Sequence, residues 1–134
     1  MPFVLDASLA LAWCFDDEAD EASEAALELL RADTAFAPAL WSLEVANVLL
    51  LAERRRRLTE SQVARFLRLL EGLPITVDLT LHPRQVLIDA ARRHGLTTYD
   101  ACYLVTAESF GLPLATRDAA VQAAAKRAGV PLLP

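Results

Sequence analysis

Short apolar segments alternate with longer segments of helical periodicity along the chain, and this alternation constrains the fold more than any other feature. The apolar segments have strand length and cover residues 3–5, 34–37, 75–77 and 112–115, with a last edge segment at 130–133. Strands that are buried on both faces of a parallel sheet read as continuous apolar runs. The pattern therefore predicts a three-layer α/β fold around a mostly parallel central sheet of about four to five short strands.

The segments between these strands carry apolar residues at helical spacing and have recognisable helix ends. Predicted helices cover residues 9–15, 20–32, 39–56, 60–71, 82–94 and 119–128, and one more runs from a cap at Thr97 or Thr98 to Gly111. Asp6 or Ser8 can cap the first helix, and Thr59 with Gln62 resembles a capping box for the fourth. Since no stretch has the composition of a linker, we expect a single domain over residues 1–134.

Charge and composition limit the classes of function that this chain can have. The formal net charge of −5 counts against a module that binds nucleic acid through a basic surface, but not against an enzyme that holds phosphates through cations. The chain has no apolar run of membrane-spanning length and no signal-peptide pattern at its N-terminus. Cys14 and Cys102 lack metal-site spacing, so we expect buried free thiols in a cytoplasmic protein that does not associate with membranes.

Acidic side chains recur where predicted strands and helices meet one edge of the sheet. Asp6 and Asp118 follow strands, Asp100 opens a helix, and Glu44 lies on the 39–56 helix. Ligands of open parallel sheets bind outside the carboxyl ends of the strands, so we expect these acids to lie together. Neighbouring carboxylates repel one another unless cations neutralise them, and Mg²⁺ and Mn²⁺ prefer oxygen ligands. The residues alone therefore predict a metal-dependent phosphoester hydrolase, in which the cation activates water.

Two charged runs stand apart from these acids. The acidic run at residues 16–21 reads as a solvated loop followed by the first turn of the next helix. The strong basic cluster either complements a helix C-terminus or contacts a nucleic-acid backbone, and it comprises Arg54, Arg55, Arg56 and Arg57. No Ser-His-Asp set, glycine-rich phosphate loop or Cys/His metal cluster competes for the role of active site.

Four short motifs follow one another at the predicted strand and helix ends. They are Val-Leu-Asp-Ala-Ser at 4–8, residues 38–44 with Asn-Val-Leu at 47–49, Thr-Tyr-Asp-Ala-Cys-Tyr at 98–103, and Leu-Ala-Thr-Arg-Asp at 114–118. In this order and at these separations they resemble the PIN-domain family, and within it the VapC-like toxins of bacterial and archaeal toxin–antitoxin pairs. The resemblance covers nearly the whole chain.

This resemblance implies a three-layer α/β/α PIN-like fold and endoribonuclease activity on structured RNA. It also implies a homodimer and a cognate antitoxin that holds the toxin inactive. By position, Asp6 and Asp100 resemble the principal Mg²⁺ or Mn²⁺ ligands, and Asp118 resembles a further ligand, direct or through water. Glu44 resembles the fourth acid, which binds metal or orients the attacking water.

The same comparison assigns supporting roles to three polar residues. Ser8 and Thr116 resemble hydroxyls that orient the acids, and Asn47 matches a polar position beside the site. One position departs from the pattern: where some members carry a second acid two residues after Asp118, this chain has Ala120. We therefore expect weaker metal binding or a single ion.

Two alternative functions stay open on sequence grounds. One is a PIN-like protein that binds RNA or an antitoxin without cutting RNA, although such a protein has no need for mutually repelling carboxylates. The other is a metal-dependent phosphoesterase that acts on another substrate. Metal-dependent RNA cleavage that is lost in Asp6→Asn distinguishes the ribonuclease from both.

Overall fold

The computed structural model describes residues 1–133 and contains a four-stranded sheet in the order β3-β2-β1-β4, in which every pairing is parallel. The strands are β1 (Phe3–Leu5), β2 (Ala35–Pro38), β3 (Ile75–Asp78) and β4 (Leu114–Ala115). The predicted parallel sheet is therefore confirmed. The predicted edge strand at 130–133 is reduced to a single bridge between Leu114 and Leu132.

Helices connect the strands and cover both faces of the sheet. They are α1 (Ala7–Ala12), α2 (Glu21–Leu29), α3 (Ala39–Arg54), α4 (Glu60–Glu71), α5 (Arg84–His94), α6 (Thr98–Phe110) and α7 (Ala119–Ala128). Helix α6 packs against β1, β2 and β4, whereas α3 packs against β2 and β3. These contacts give the predicted helix–sheet–helix layers. No helix within residues 1–133 is long and apolar enough to cross a membrane.

Local capping chemistry sets most of the helix ends. Asp6 caps α1 by accepting from the Ser8 N–H at 3.4 Å. At α4, the Thr59 hydroxyl oxygen accepts from the Gln62 N–H, while the Gln62 amide oxygen accepts from the Thr59 N–H. The predicted capping box is thus confirmed. Of the two predicted caps for α6, Thr97 is the residue that the structure uses.

Several predicted details are wrong for identifiable reasons. Helix α3 ends at Arg54 because Arg56 adopts a left-handed backbone with φ of 62°. Leu67 of α4 is 40% exposed, because this helix packs through Phe66 and Leu70. Cys14 and Cys102 are free thiols as predicted, but they are half-buried.

The strand order places a crevice at one point of the sheet edge. The chain moves outward from β1 to β2 and β3, and then returns to the opposite side of β1 to form β4. Such a reversal opens a crevice at the carboxyl ends of the two strands that flank it. A backbone hydrogen bond joins the ends of β1 and β4 at this crevice, because the N–H of Asp6 donates to the carbonyl of Ala115 at 2.9 Å. The acids that follow β1 and β4 therefore lie at neighbouring positions of the sheet edge.

Candidate active site

The two strand-end acids each serve as the N-cap of the helix that follows. Asp6 comes directly after β1 and is only 5% exposed. Asp118 lies just beyond β4, is half-buried, and accepts from the N–H of Val121 at 3.1 Å to cap α7. Capping fixes both carboxylates at the crevice, because each must stay close to the free N–H groups of its helix.

Two hydroxyls hold the Asp6 carboxylate in place, as the family resemblance implies for these positions. The Thr116 hydroxyl donates to Oδ2 of Asp6 at 2.5 Å, and its oxygen accepts from the N–H of Asp118 at 3.1 Å. The Ser8 hydroxyl donates to the same Oδ2 at 3.3 Å. One threonine hydroxyl therefore links the Asp6 carboxylate to the backbone of Asp118.

The other two acids come from helices. Asp100 lies in the first turn of α6, and its N–H donates to the Thr97 cap at 3.1 Å. Glu44 lies on α3, and its Oε1 accepts a 2.5 Å hydrogen bond from the hydroxyl of Tyr103. Because Tyr103 lies one turn after Asp100 on α6, this bond joins the two acid-bearing helices.

All four predicted acids line one cavity of about 360 Å³. The structure thus brings together residues that lie up to 112 positions apart in the chain (Asp6 to Asp118). The remaining wall consists of Ala7, Ser8, Leu11, Phe15, Glu18, Val48, Arg57 and Arg117. It combines acids, two arginines and apolar side chains in one open pocket.

Burial and mutual repulsion disfavour ionisation of three of these acids. Burial is the main cause that raises the pKa of Asp6, and the charge of Asp100 adds to it. Burial also raises the pKa of Glu44, with further contributions from Asp6 and Asp100. The pKa of Asp100 is raised by burial and then by the charge of Asp118. The hydroxyl donors only partly offset these effects, so the cavity carries negative charge that lacks full compensation.

The donor set fits a hard divalent cation that retains water. Every acid at the cavity offers carboxylate oxygens, the ligands that Mg²⁺ and Mn²⁺ prefer. Within residues 1–133, however, no group of three or more His, Cys, Asp or Glu side chains is arranged so that it could hold a metal ion. Because Mg²⁺ commonly binds through one or two carboxylates and several waters, the set still fits such an ion, held partly through water.

Some predicted site residues lie away from the acids. Asn47 is exposed and does not line the cavity, whereas its neighbour Val48 does. The supporting role of Asn47 stays a prediction, and the structure places this residue outside the cavity lining. Arg57 is the one member of the basic cluster that lines the cavity. The other three side chains are exposed and lie outside the cavity: Arg54, Arg55 and Arg56.

Three side chains at this site had no predicted role. Tyr103 could have been found, because a residue three positions after Asp100 shares its helix face. Arg117 and Glu18 also line the cavity. Their partners come from distant loops, and no local sequence signal marks those pairs. The acidic run at 16–21 is largely exposed and leads into the first turn of α2, as predicted, and Asp17, Glu18 and Asp20 also pair with arginines.

Comparisons with known proteins agree with this fold. Residues 3–127 match the PIN domain family. Ribonuclease VapC3 of Pyrobaculum aerophilum is 35% identical over 122 residues, which cover 88% of this chain and 90% of that protein. The crystal structure of PAE2754 from the same organism superposes with a TM-score of 0.73 at 25% identity, covering 92% of this chain and 84% of that one. The crystal structure of FitAcB from Neisseria gonorrhoeae gives a TM-score of 0.67 at 19% identity, covering 100% and 97%, and supports the fold alone.

Proposed function

Because the chain belongs to the PIN-domain family, we propose that it is the endoribonuclease toxin of a toxin–antitoxin pair and that it hydrolyses RNA phosphodiesters with Mg²⁺ or Mn²⁺. The observation that carries the proposal is that Asp6, Glu44, Asp100 and Asp118 line one cavity at the carboxyl edge of the sheet. The similarity to Ribonuclease VapC3 over most of both chains supports RNA as the substrate.

In this proposal the acids divide the work of binding and proton transfer. Asp6, Asp100 and Asp118 would hold the cation, partly through water, and Thr116 and Ser8 keep the Asp6 carboxylate oriented toward the cavity. When bound, the cation lowers the pKa of a water molecule and neutralises charge on the phosphodiester. Side chains of this chain orient the water and accept its proton.

Glu44 is the residue best suited to orient the attacking water and accept its proton. Its pKa is raised from that of an ordinary glutamate, mainly by burial, and a base is most effective when its pKa lies near the working pH. The hydrogen bond from Tyr103 fixes Oε1 and leaves Oε2 available to the water. The water oxygen then bonds to phosphorus, the bond from phosphorus to the leaving oxygen breaks, and Glu44 takes the proton.

Partners follow from the same family assignment. We propose a cognate antitoxin as the inhibitor and a homodimer as the working assembly. Arg57 is the member of the basic cluster best placed to touch RNA, since it lines the acidic cavity. Light scattering of the purified chain, alone and with its co-expressed partner, measures both assemblies.

The decisive experiment is cleavage of total cellular RNA by the purified chain with Mg²⁺, with Mn²⁺ and with EDTA. The variants Asp6→Asn and Asp100→Asn remove cavity acids, while Asp89→Asn removes an exposed acid on α5 and serves as the matched control. Discrete fragments that require metal, disappear in the two cavity variants and persist in the control support the proposal. Tight RNA or antitoxin binding without cleavage would favour the non-cutting alternative. Cleavage of small phosphoesters alone would favour the phosphoesterase.

A further inference from the structure

Two arginines share the cavity with the four acids, yet each pairs with an acid of the loop between α1 and α2. Nη2 of Arg57 lies 3.2 and 3.3 Å from the two carboxylate oxygens of Asp17. Nε of Arg117 donates to Oδ2 of Asp20 at 3.2 Å. Glu18 joins the two pairs, since its carboxylate oxygens lie 4.0 Å from Nη2 of Arg57 and 3.8 Å from Nη1 of Arg117.

Further contacts restrict how far either arginine can move. The guanidinium carbon of Arg57 lies 4.3 Å from the ring centroid of Phe15, a buried residue that also lines the cavity. The backbone N–H of Arg117 donates to the Ser8 hydroxyl at 3.2 Å. The arginines are thus held at the cavity wall by the α1–α2 region.

The ion pairs are too exposed to contribute much to the stability of the fold. The Arg57 and Arg117 side chains are 48% and 29% exposed, and their shared partner Glu18 is 39% exposed. Exposed pairs of this kind contribute about 0–1 kcal/mol each. The arrangement instead keeps two planar cations at the wall of a cavity whose other charged groups are carboxylates.

We propose that Arg57 and Arg117 bind backbone phosphates of the RNA on either side of the scissile one, and that Glu18 positions both guanidiniums. This inference rests on the proposed function, because it takes RNA as the substrate. A guanidinium binds phosphate through two parallel N–H groups, which fixes the orientation of the strand as well as its position. With a net charge of −5 and five acids lining the cavity, the chain needs such local cations to accept a polyanion.

The test measures RNA binding without metal, so that cleavage and ion binding do not contribute. Dissociation constants for a single-stranded RNA oligonucleotide are measured in EDTA across a salt series for the unaltered chain, Arg57→Gln and Arg117→Gln. Arg31→Gln is the charge-matched control, because Arg31 pairs with Glu28 and lies outside the cavity. Loss of one phosphate contact is expected to weaken binding about tenfold and to reduce the salt slope by about 0.7. The Arg31 variant should keep the slope of the unaltered chain.

A second substitution separates charge from geometry. Arg117→Lys keeps the positive charge but loses the two-pronged contact, so it should retain the salt slope while binding more weakly. Thermal unfolding of each variant checks that the fold is intact. If Arg57→Gln and Arg117→Gln leave both affinity and slope unchanged while RNA is still bound and cut, the phosphate contacts are wrong and the ribonuclease proposal stands. If the unaltered chain neither binds nor cuts RNA, the ribonuclease proposal itself fails.

The positioning role of Glu18 has its own measurement. Glu18→Gln removes a negative charge, which changes RNA affinity by itself, so its effect is compared in two backgrounds. Glu18→Gln should weaken RNA binding by a factor at least about threefold greater in the chain that has both arginines than in the Arg57→Gln, Arg117→Gln double variant. Equal effects in the two backgrounds would overturn the positioning role.

Discussion

The hydroxyl of Tyr103 donates a 2.5 Å hydrogen bond to Oε1 of Glu44 and thereby ties α6 to α3 at the acidic cavity. Tyr103 is fully buried and Glu44 is half-buried. A hydrogen bond donated to a carboxylate favours its ionised form, so Tyr103 offsets part of the burial that raises the pKa of Glu44. The tyrosine therefore favours the ionised form of the residue that we propose as the base.

Replacing Tyr103 by Phe should move the acidic limb of the pH–rate profile for RNA cleavage to higher pH, because Glu44 loses the donor that lowers its pKa. The free energy of unfolding should fall by about 1–2 kcal/mol through the lost hydrogen bond. Tyr99→Phe is the control, since Tyr99 belongs to the same motif but is 64% exposed. An unchanged acidic limb in Tyr103→Phe would show that Glu44 does not set it.

What could be predicted from the sequence depends on how far apart the interacting residues lie. The α4 bounds and the Thr59–Gln62 capping box follow from a few adjacent residues, and both were predicted correctly. The meeting of Asp6 and Asp118 followed from a general property of parallel sheets, although nothing in either motif alone requires it.

Contacts between residues far apart in the chain were not predicted. Tyr103 and Glu44 are 59 positions apart, and Arg117 and Asp20 are 97 apart. Such pairs depend on how whole helices pack, and sequence periodicity specifies which face of a helix is apolar rather than which residue it meets. The ion pairs of the exposed acidic run could not be predicted for the same reason, because its arginine partners become neighbours only after folding.

Asp6→Asn should stabilise the metal-free protein while abolishing cleavage. Burial raises the pKa of Asp6 in the folded state, so the folded chain holds this proton more tightly than the unfolded chain. The free energy of unfolding therefore falls as pH rises from the unfolded pKa through the folded pKa. Above the folded pKa the cost of the buried charge is present in full, and the neutral amide should relieve about 0.5–2 kcal/mol of it.

Urea unfolding in EDTA at pH 5 and pH 8 measures this difference. The gain from Asp6→Asn should be larger at pH 8, because a larger fraction of Asp6 is ionised there than at pH 5 in the unaltered chain. Adding Mn²⁺ should raise the melting temperature of the unaltered chain and not that of the variant, because a ligand that binds only the folded state stabilises it. A variant less stable than the unaltered chain at both pH values would show that the Asp6 hydrogen bonds outweigh its desolvation.

Thr116→Val should weaken metal binding without changing any acid. The valine keeps the shape of the side chain but removes the donor to Asp6 and the acceptor for the Asp118 N–H. We expect about 1–3 kcal/mol of destabilisation from the unpaired buried groups and about 10- to 100-fold weaker Mn²⁺ binding by calorimetry. Thr116→Ser retains the hydroxyl and should stay close to the unaltered chain. Equal Mn²⁺ affinity in both variants would exclude an orienting role.

The left-handed residue at the end of α3 gives a prediction that is independent of function. Arg56 has φ of 62°, and the next residue turns back so that the N–H of Arg57 donates to the carbonyl of Ala52 at 2.8 Å. A side chain in this region costs about 1–2 kcal/mol, which glycine avoids, although glycine also makes the unfolded chain more flexible. Arg56→Gly should therefore raise the free energy of unfolding by roughly 0–1 kcal/mol.

Arg55 is the control, because its φ of −89° gives no such relief. Arg55→Gly should therefore lower the free energy of unfolding by about 0.5–1 kcal/mol. Urea unfolding of the two variants compares them directly, and a greater loss at Arg56 than at Arg55 would contradict the strain at this helix end.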